Sequence, residues 1–286
     1  MSVPAPDAWV NIGDTQIVVV SDGVIWMDGG AIFGLTPRVL WERVIKPDPL
    51  NRLPLALNCL IIRSEGKTIL VDTGLGTKVT AKEINNFSYS NDGGLVVDLL
   101  RHGIKPTDID IVINTHLHSD HCGGNTFCQD DRAVPTFPNA EYWIQKAEWD
   151  MAVQPNERTK ATYFSDNYLP LQEFGVLRLI EGETAVTSTA RCLPTPGHTP
   201  GHQSVVINSK GESAIYFGDV GQYPVHFERL AWIAAFDVEP LVTLETKRSL
   251  VERMTREKAL VILGHAAFPG LGHLVEDNNK IQWQPL

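Results

Sequence analysis

Three histidines and an aspartate fall within six residues, in the run His116-Leu-His118-Ser-Asp120-His121. His116 and His118 are two apart, so in an extended segment their side chains leave the same side and can grip one ion. Asp120 and His121 follow after the chain turns and can reach a second position. Imidazole nitrogens with a carboxylate suit zinc best, with iron, manganese or cobalt as the other divalent choices. A single histidine is more often a hydrogen-bonded polar residue than a ligand. Four such groups together are harder to bury without a cation, because several polar atoms would be left to satisfy. No Gly-x-Ser-x-Gly elbow or cysteine–histidine pattern competes as a reactive centre.

The same polar chemistry recurs at the ends of apolar runs. Thr68-Ile-Leu-Val runs into Asp72-Thr-Gly, and Ile109 to Thr115 runs into the histidine cluster. Ala214-Ile-Tyr-Phe-Gly ends in Asp219, and Leu260-Val-Ile-Leu-Gly ends in His265. Strands that deliver His and Asp at one rim are a rigid way to build a metal site. Strands are expected at Gln16–Ser21, Leu57–Arg63, Thr68–Val71, Ile109–Asn114, Tyr142–Gln145, Ser204–Asn208, Ala214–Phe217 and Leu260–Leu263, each rich in Val and Ile and bounded by turn residues. Helices are expected at Leu95–Arg101, Lys146–Val153 and Leu244–Met254. Interleaved strands and helices define an α/β chain. Two stretches break the rhythm, 27–54 and 148–174. Both are aperiodic and carry large apolar side chains (Phe33, Leu35 and Trp41; Trp149, Tyr163, Phe164 and Tyr168) that are costly to leave in water, so they are expected as packed loops over the active face.

With 286 residues the chain is long enough to bury a core without disulfides or structural metal. Hydrophobic residues at 43% and charged residues at 20% are ordinary globular usage, which excludes disorder and coiled-coil architecture. A net charge of −10, from 34 acidic and 24 basic residues, makes nucleic acid a poor partner. No apolar run has the length of a membrane span, and Met1 to Val10 lacks the basic and apolar blocks of an export signal, so a cytoplasmic protein is expected. Cys59, Cys122, Cys128 and Cys192 are scattered without a close pair and read as reduced core thiols.

The ordered motifs carry a resemblance. His116-x-His118-x-Asp120-His121, with Asp72 in Val-Asp-Thr-Gly, His198 in Thr195-Pro-Gly-His-Thr-Pro-Gly-His202, Asp219 in Phe-Gly-Asp and His265 in Leu-Gly-His, resembles the metallo-β-lactamase superfamily across roughly residues 16 to 270. The resemblance implies a single domain over 1–286 with the four-layer αββα sandwich fold. It assigns His116, His118 and His198 to a first metal, Asp120, His121 and His265 to a second, and Asp219 between them. Asp72 would sit behind the ligands and orient them, and His202 would support the start of the next strand. His102, His226 and His273 take solvent-facing or hydrogen-bonded structural roles.

Two divalent ions about 3.5–4 Å apart can share a hydroxide of pKa about 7, a nucleophile at neutral pH. Asp120 stands beside it, placed to pass a proton to the leaving group. Among the family's branches the chain is most similar to the quorum-quenching lactonases and methyl-parathion-hydrolase-like enzymes, through Val19-Val-Ser-Asp-Gly23, Pro54-Leu-Ala-Leu-Asn58 and the aromatic insert. That branch implies opening of acyl-homoserine-lactone-like lactones or cleavage of aryl esters, with phosphotriesterase side activity. Where acyl-homoserine lactonases carry a tyrosine three residues after the bridging aspartate, this chain has Gln222. Tyr223, one further on, either reaches the substrate or packs as a loop aromatic. A thioester hydrolase of the glyoxalase II type is the enzymatic alternative, and a non-catalytic metal-containing regulator the alternative of another class. The apolar segment after residue 26 suits either a homodimer contact or the pocket wall.

Overall fold

The computed structural model describes residues 8–286, apart from the Glu83 side chain. Met1–Asp7, most of the stretch read for an export signal, lies outside the described residues. Along the chain, β1 (Val10–Ile12), β2 (Thr15–Asp28), β3 (Arg52–Ser64), β4 (Lys67–Val71) and β5 (Ile111–Ile113) pair side by side. A separate surface hairpin, β6 (Thr126–Gln129) with β7 (Arg132–Pro135), precedes β8 (Glu141–Gln145) and β9 (Leu177–Ile180), which complete a first seven-stranded sheet. The second sheet, also of seven strands, runs in chain order through β10 (Thr184–Ala185), β11 (Ala190–Pro194), β12 (Gln203–Ser209), β13 (Glu212–Tyr216), β14 (Leu260–Ile262), β15 (Leu271–Asp277) and β16 (Lys280–Pro285).

Strand alternation explains why the sheets stack. Odd-numbered β2 residues, Ile17 and Val19, join Ile62, Val71 and Ile113 in a core shared with Val205, Ile207, Tyr216 and Ile262 of the other sheet. The even residues Val18 and Val20 face the opposite way, with Leu70 and Val112, against Leu95 and Leu99 of the helix Gly94–Arg101. On the far side, Val206, Ile215 and Val261 pack on Leu250, Val251 and Met254 of the helix Pro240–Glu257. Three apolar layers between helices, sheet, sheet and helices make the four-layer αββα sandwich.

β4, β5, β8 and β9 are parallel neighbours in the first sheet, and β13 and β14 are parallel in the second. Their carboxyl ends therefore open at common rims, from which Asp72, the 116–121 run, Asp219 and His265 emerge. The fold thus turns four distant segments into one site.

Several expected elements shift. The stretch 27–54 is not one irregular loop: β2 continues to Asp28, β3 begins at Arg52, and short helices occupy Gly29–Phe33 and Arg38–Trp41. Helices of five and four residues are too brief to display a 3.6-residue period, which is why none was legible. Phe33 and Trp41 are buried and stacked with ring centroids 5.1 Å apart, whereas Leu35 is fully exposed. In 148–174 the helix Lys146–Val153 and a turn of helix at Leu169–Glu173 carry Trp149, Tyr168 and Leu171 into the outer core, leaving Phe164 exposed. Cys59, Cys122 and Cys192 are buried free thiols, but Cys128 is exposed, because it lies on the surface hairpin.

Candidate metal centre

The run after β5 stays extended through His118 and then turns into the short helix Ser119–Cys122. This places the first two imidazoles together, their centroids 4.5 Å apart, and swings Asp120 and His121 towards the second sheet. Three sets of side chains bring potential ligand atoms within 4.8 Å of one another: His116, His118 and His198; His116, His121 and Asp219; Asp120, His121 and His265. All seven expected ligands are therefore in one cluster, although the first and last, His116 and His265, are 149 residues apart in sequence.

Hydrogen bonds fix the imidazole faces. Asp72 accepts from the Thr115 N–H and Oγ1, both at 2.8 Å, and stands 2.8 Å from His121 Nδ1. Because Thr115 Oγ1 gives its proton to Asp72, it can only accept from His116 Nδ1, 3.0 Å away. His265 Nδ1 donates to the Ala56 carbonyl at 2.8 Å, and His198 Nδ1 faces the Asp237 carboxylate at 2.9 Å. Each of these four rings thus spends its Nδ1 proton outward and turns Nε2 inward. Asp72 holds this post at φ +57°, a left-handed conformation that non-glycine residues adopt at some cost and that recurs at functional sites.

The inward atoms fit cations. His121 Nε2 and His265 Nε2 face each other at 3.0 Å, and His198 Nε2 lies 3.0 Å from His118 Nδ1. His116 Nε2 is buried with no hydrogen-bond partner, and so is Asp219 Oδ1. Opposed nitrogen lone pairs and orphaned acceptors are a costly arrangement unless protons or metal ions lie between them. Asp219 spans the cluster. Its Oδ1 is 2.9 Å from His265 Nε2 and 3.2 Å from His121 Nε2, and its Oδ2 is 3.4 Å from His198 Nε2. Burial works against its ionisation, but the His265, His121 and His198 rings together hold the carboxyl well below its usual range. Burial, with the neighbouring imidazoles, pushes His116 and His118 well down, so both stay neutral as ligation requires. Asp120 Oδ2 stands 3.6 Å from His265 Nε2 and 3.8 Å from His121 Nε2, and its side chain is 16% exposed where Asp219 is 6%.

Other singled-out residues take supporting places. His202 Nε2 accepts from the Asp219 N–H at 3.0 Å and its Nδ1 meets Thr195, while burial first and His198 second push its pKa down to about 3. The Tyr223 hydroxyl donates to the Pro54 carbonyl at 2.6 Å, and its ring packs with Phe33 in the apolar cluster around Trp41 and Leu53. Gln222 is buried with its Nε2 unpartnered. His226 is buried, accepting from the Tyr223 N–H, and His273 Nδ1 meets the Ala259 carbonyl. His102 lies edge-on to Trp9.

Sequence reasoning missed three buried carboxylates. Asp22 sits in a bulge of β2 and accepts from the N–H groups of Leu75, Gly76 and Leu95 and from the Tyr89 hydroxyl. Gly74 packs against the Asp22 Cβ at positive φ, where any side chain would collide, which explains the glycine of Asp72-Thr-Gly; Gly23, also at positive φ, instead lies against the Ser90 carbonyl. Glu148 accepts from Leu117 N–H, the Tyr163 hydroxyl and the Thr199 hydroxyl, so it ties the His116–His118 segment to the loop that carries His198. Asp237 has no motif around it; only its folded position reveals it. Asp237→Ala should weaken binding of the most loosely held metal equivalent about 10- to 100-fold, read by competition with a chromophoric chelator, because the His198 ring loses its outward anchor.

A sandwich with imidazoles and carboxylates converging in three overlapping ligand sets at the strand ends defines a metal-dependent hydrolase with a dinuclear centre. Residues 52–265 match the metallo-β-lactamase superfamily model, and the chain belongs to that family. An N-acyl homoserine lactonase of Bacillus cereus is 31% identical over 229 residues, covering 76% of this chain and 84% of its own. A probable metal-dependent hydrolase from Staphylococcus aureus superposes with a TM-score of 0.89 at 27% identity, over 97% of this chain and 98% of its own. An N-acyl homoserine lactone hydrolase solved with N-hexanoyl-L-homoserine at its catalytic metal centre has a TM-score of 0.68 at 27% identity, over 87% and 92%. Among the described residues, no helix is long and apolar enough to cross a membrane.

Proposed function

We propose that this protein opens the ring of N-acyl homoserine lactones, and that the whole chain is one domain built for that reaction. The observation that carries the reading is the complete inward-facing ligand set in a chain similar to the Bacillus cereus lactonase. In this reading His116, His118 and His198 would hold one ion and Asp120, His121 and His265 the other, with Asp219, which lies among both groups, as a further carboxylate ligand. Zinc suits that donor set. Bound there, two divalent ions supply Lewis acidity at the ester carbonyl and bring the pKa of water to about 7.

The protein's own residues do the rest. Asp72, Asp237 and the Ala56 carbonyl hold the rings in one tautomer, so that no reorganisation is needed when substrate arrives. Asp120 is the least buried carboxylate of the cluster and accepts no hydrogen bond among the described residues, so beside its place among the ligands it can receive a proton and return it to the alkoxide that leaves the opened ring. Beside Ser119 a cavity of about 220 Å³ is lined by Leu75, Val79, Phe87 and Phe164 together with Lys78, Asp166 and Asn167, and its apolar part suits the acyl chain. Tyr223 has its hydroxyl spent on Pro54, so its part is to shape the loop rather than to touch substrate.

The test is turnover of a panel holding N-hexanoyl and N-decanoyl homoserine lactones, simple γ-lactones, aryl esters, a methyl-parathion-type triester and S-lactoylglutathione, with elemental analysis of the same sample. Acyl homoserine lactones should give the highest kcat/KM, with about two zinc ions per chain. Turnover confined to the thioester would replace this reading with a glyoxalase-type one.

A further inference from the structure

Behind the metal centre lies a larger cavity that shares no residue with the three ligand sets. It has a volume of about 960 Å³, at the upper end of small-molecule sites, and opens between the helix Gly94–Arg101, the β6–β7 hairpin and the segment 105–107. Its wall is mostly apolar, with Leu95, Phe127, Val134, Phe137 and Phe174 prominent, and Phe127 and Phe174 are partly exposed at its edge. One charged group stands at its edge: Lys105, an exposed residue of the lining, whose ammonium forms no ion pair among the described residues. The neighbouring Asp108 turns its carboxylate to the Lys105 backbone N–H instead. The one carboxylate of the lining, Asp22, is fully taken up by three backbone N–H groups and the Tyr89 hydroxyl, so it does not repel an anion.

An apolar wall with one free cation at its mouth is the complement of an amphiphile. We propose that this cavity is a second binding site, separate from the metal centre, for a fatty carboxylate whose chain fills the space over Leu95 and Phe137 and whose head pairs with Lys105. A chain of ten to twelve carbons has room in such a volume, and each methylene it buries should tighten binding about fourfold. The inference stands whether or not the metal centre opens lactones, because binding here involves none of its ligands.

The experiment is calorimetric titration of the metal-loaded protein with octanoate, decanoate and dodecanoate, each below its micellar concentration. One equivalent should bind, with affinity rising along the series. Val134→Trp, which fills the cavity, should weaken dodecanoate at least tenfold. Lys105→Glu should weaken dodecanoate about tenfold but leave dodecanol unchanged. Neither variant should alter thermal stability or basal hydrolysis, since both positions are remote from the ligand sets. Absence of saturable binding overturns the proposal. So does binding that both variants leave intact, which would place the carboxylate on the metal ions. A dimer in sedimentation that Val134→Trp dissociates would also overturn it, because a second copy of the chain would then cover this face.

Discussion

Removing the metal ions with a chelator should abolish lactone hydrolysis and lower the melting temperature by about 10 °C, both restored by added zinc. The ions hold this cluster together electrostatically. His121 Nε2 and His265 Nε2 oppose each other at 3.0 Å, His116 Nε2 has no partner, and Asp219 Oδ1 is buried without a hydrogen bond. Cations in the two sites satisfy these atoms; their loss forces the cluster to take up protons or water instead. An ion present at about a thousand times its dissociation constant stabilises the fold by about 4 kcal/mol. For a domain of this size that corresponds to roughly 2–4 °C per kcal/mol. Differential scanning calorimetry of stripped and reloaded protein measures the shift, and a turnover assay at matched protein concentration measures the loss. Stripped protein, verified metal-free, that hydrolysed the lactone at the native rate would remove the metal centre from the reaction altogether.

The second large effect is expected at Asp120. Asp120→Asn keeps the size and one oxygen but cannot carry a proton, so kcat should fall about 10²- to 10⁴-fold while KM stays within a few-fold. The position is singular in the cluster. Asp219 presents both oxygens to ring nitrogens, and Asp72 is enclosed by Thr115, His121 and Tyr216. Only Asp120 keeps an accessible face. Because it also stands near His265 and His121, the metal content of the variant has to be measured beside its kinetics. Full metal with full kcat would assign the proton to another group; lost metal with lost kcat would make Asp120 a ligand and nothing more.

Much of the scaffold could be read from residue types. Val-rich runs bounded by Asp, Asn and Gly located the central strands of both sheets, and Lys146–Val153 agrees with its helix to the residue. Those signals are local: alternation and capping act within a few positions. The strands that went unread, such as β11 and β16, mix Arg, Pro and Gln into their sequence, and their pairing partners rather than their own residues hold them extended. The stretch 27–54 failed for a different reason, since very short helices carry no periodicity to detect.

At the site the division is sharper. The amino-acid sequence determined which side chains could bind metal, because His-x-His-x-Asp-His and the strand-end Asp and His residues are chemical statements complete in themselves. Only the tertiary structure decided which nitrogen each ring presents, that Asp237 and Glu148 brace the loops behind them, and that the Tyr223 hydroxyl is spent on Pro54. Tautomers and braces depend on atoms that meet across 39 residues for His198 and Asp237 and 144 for His121 and His265. Short-range propensity carries no information over such separations; packing two sheets face to face supplies it.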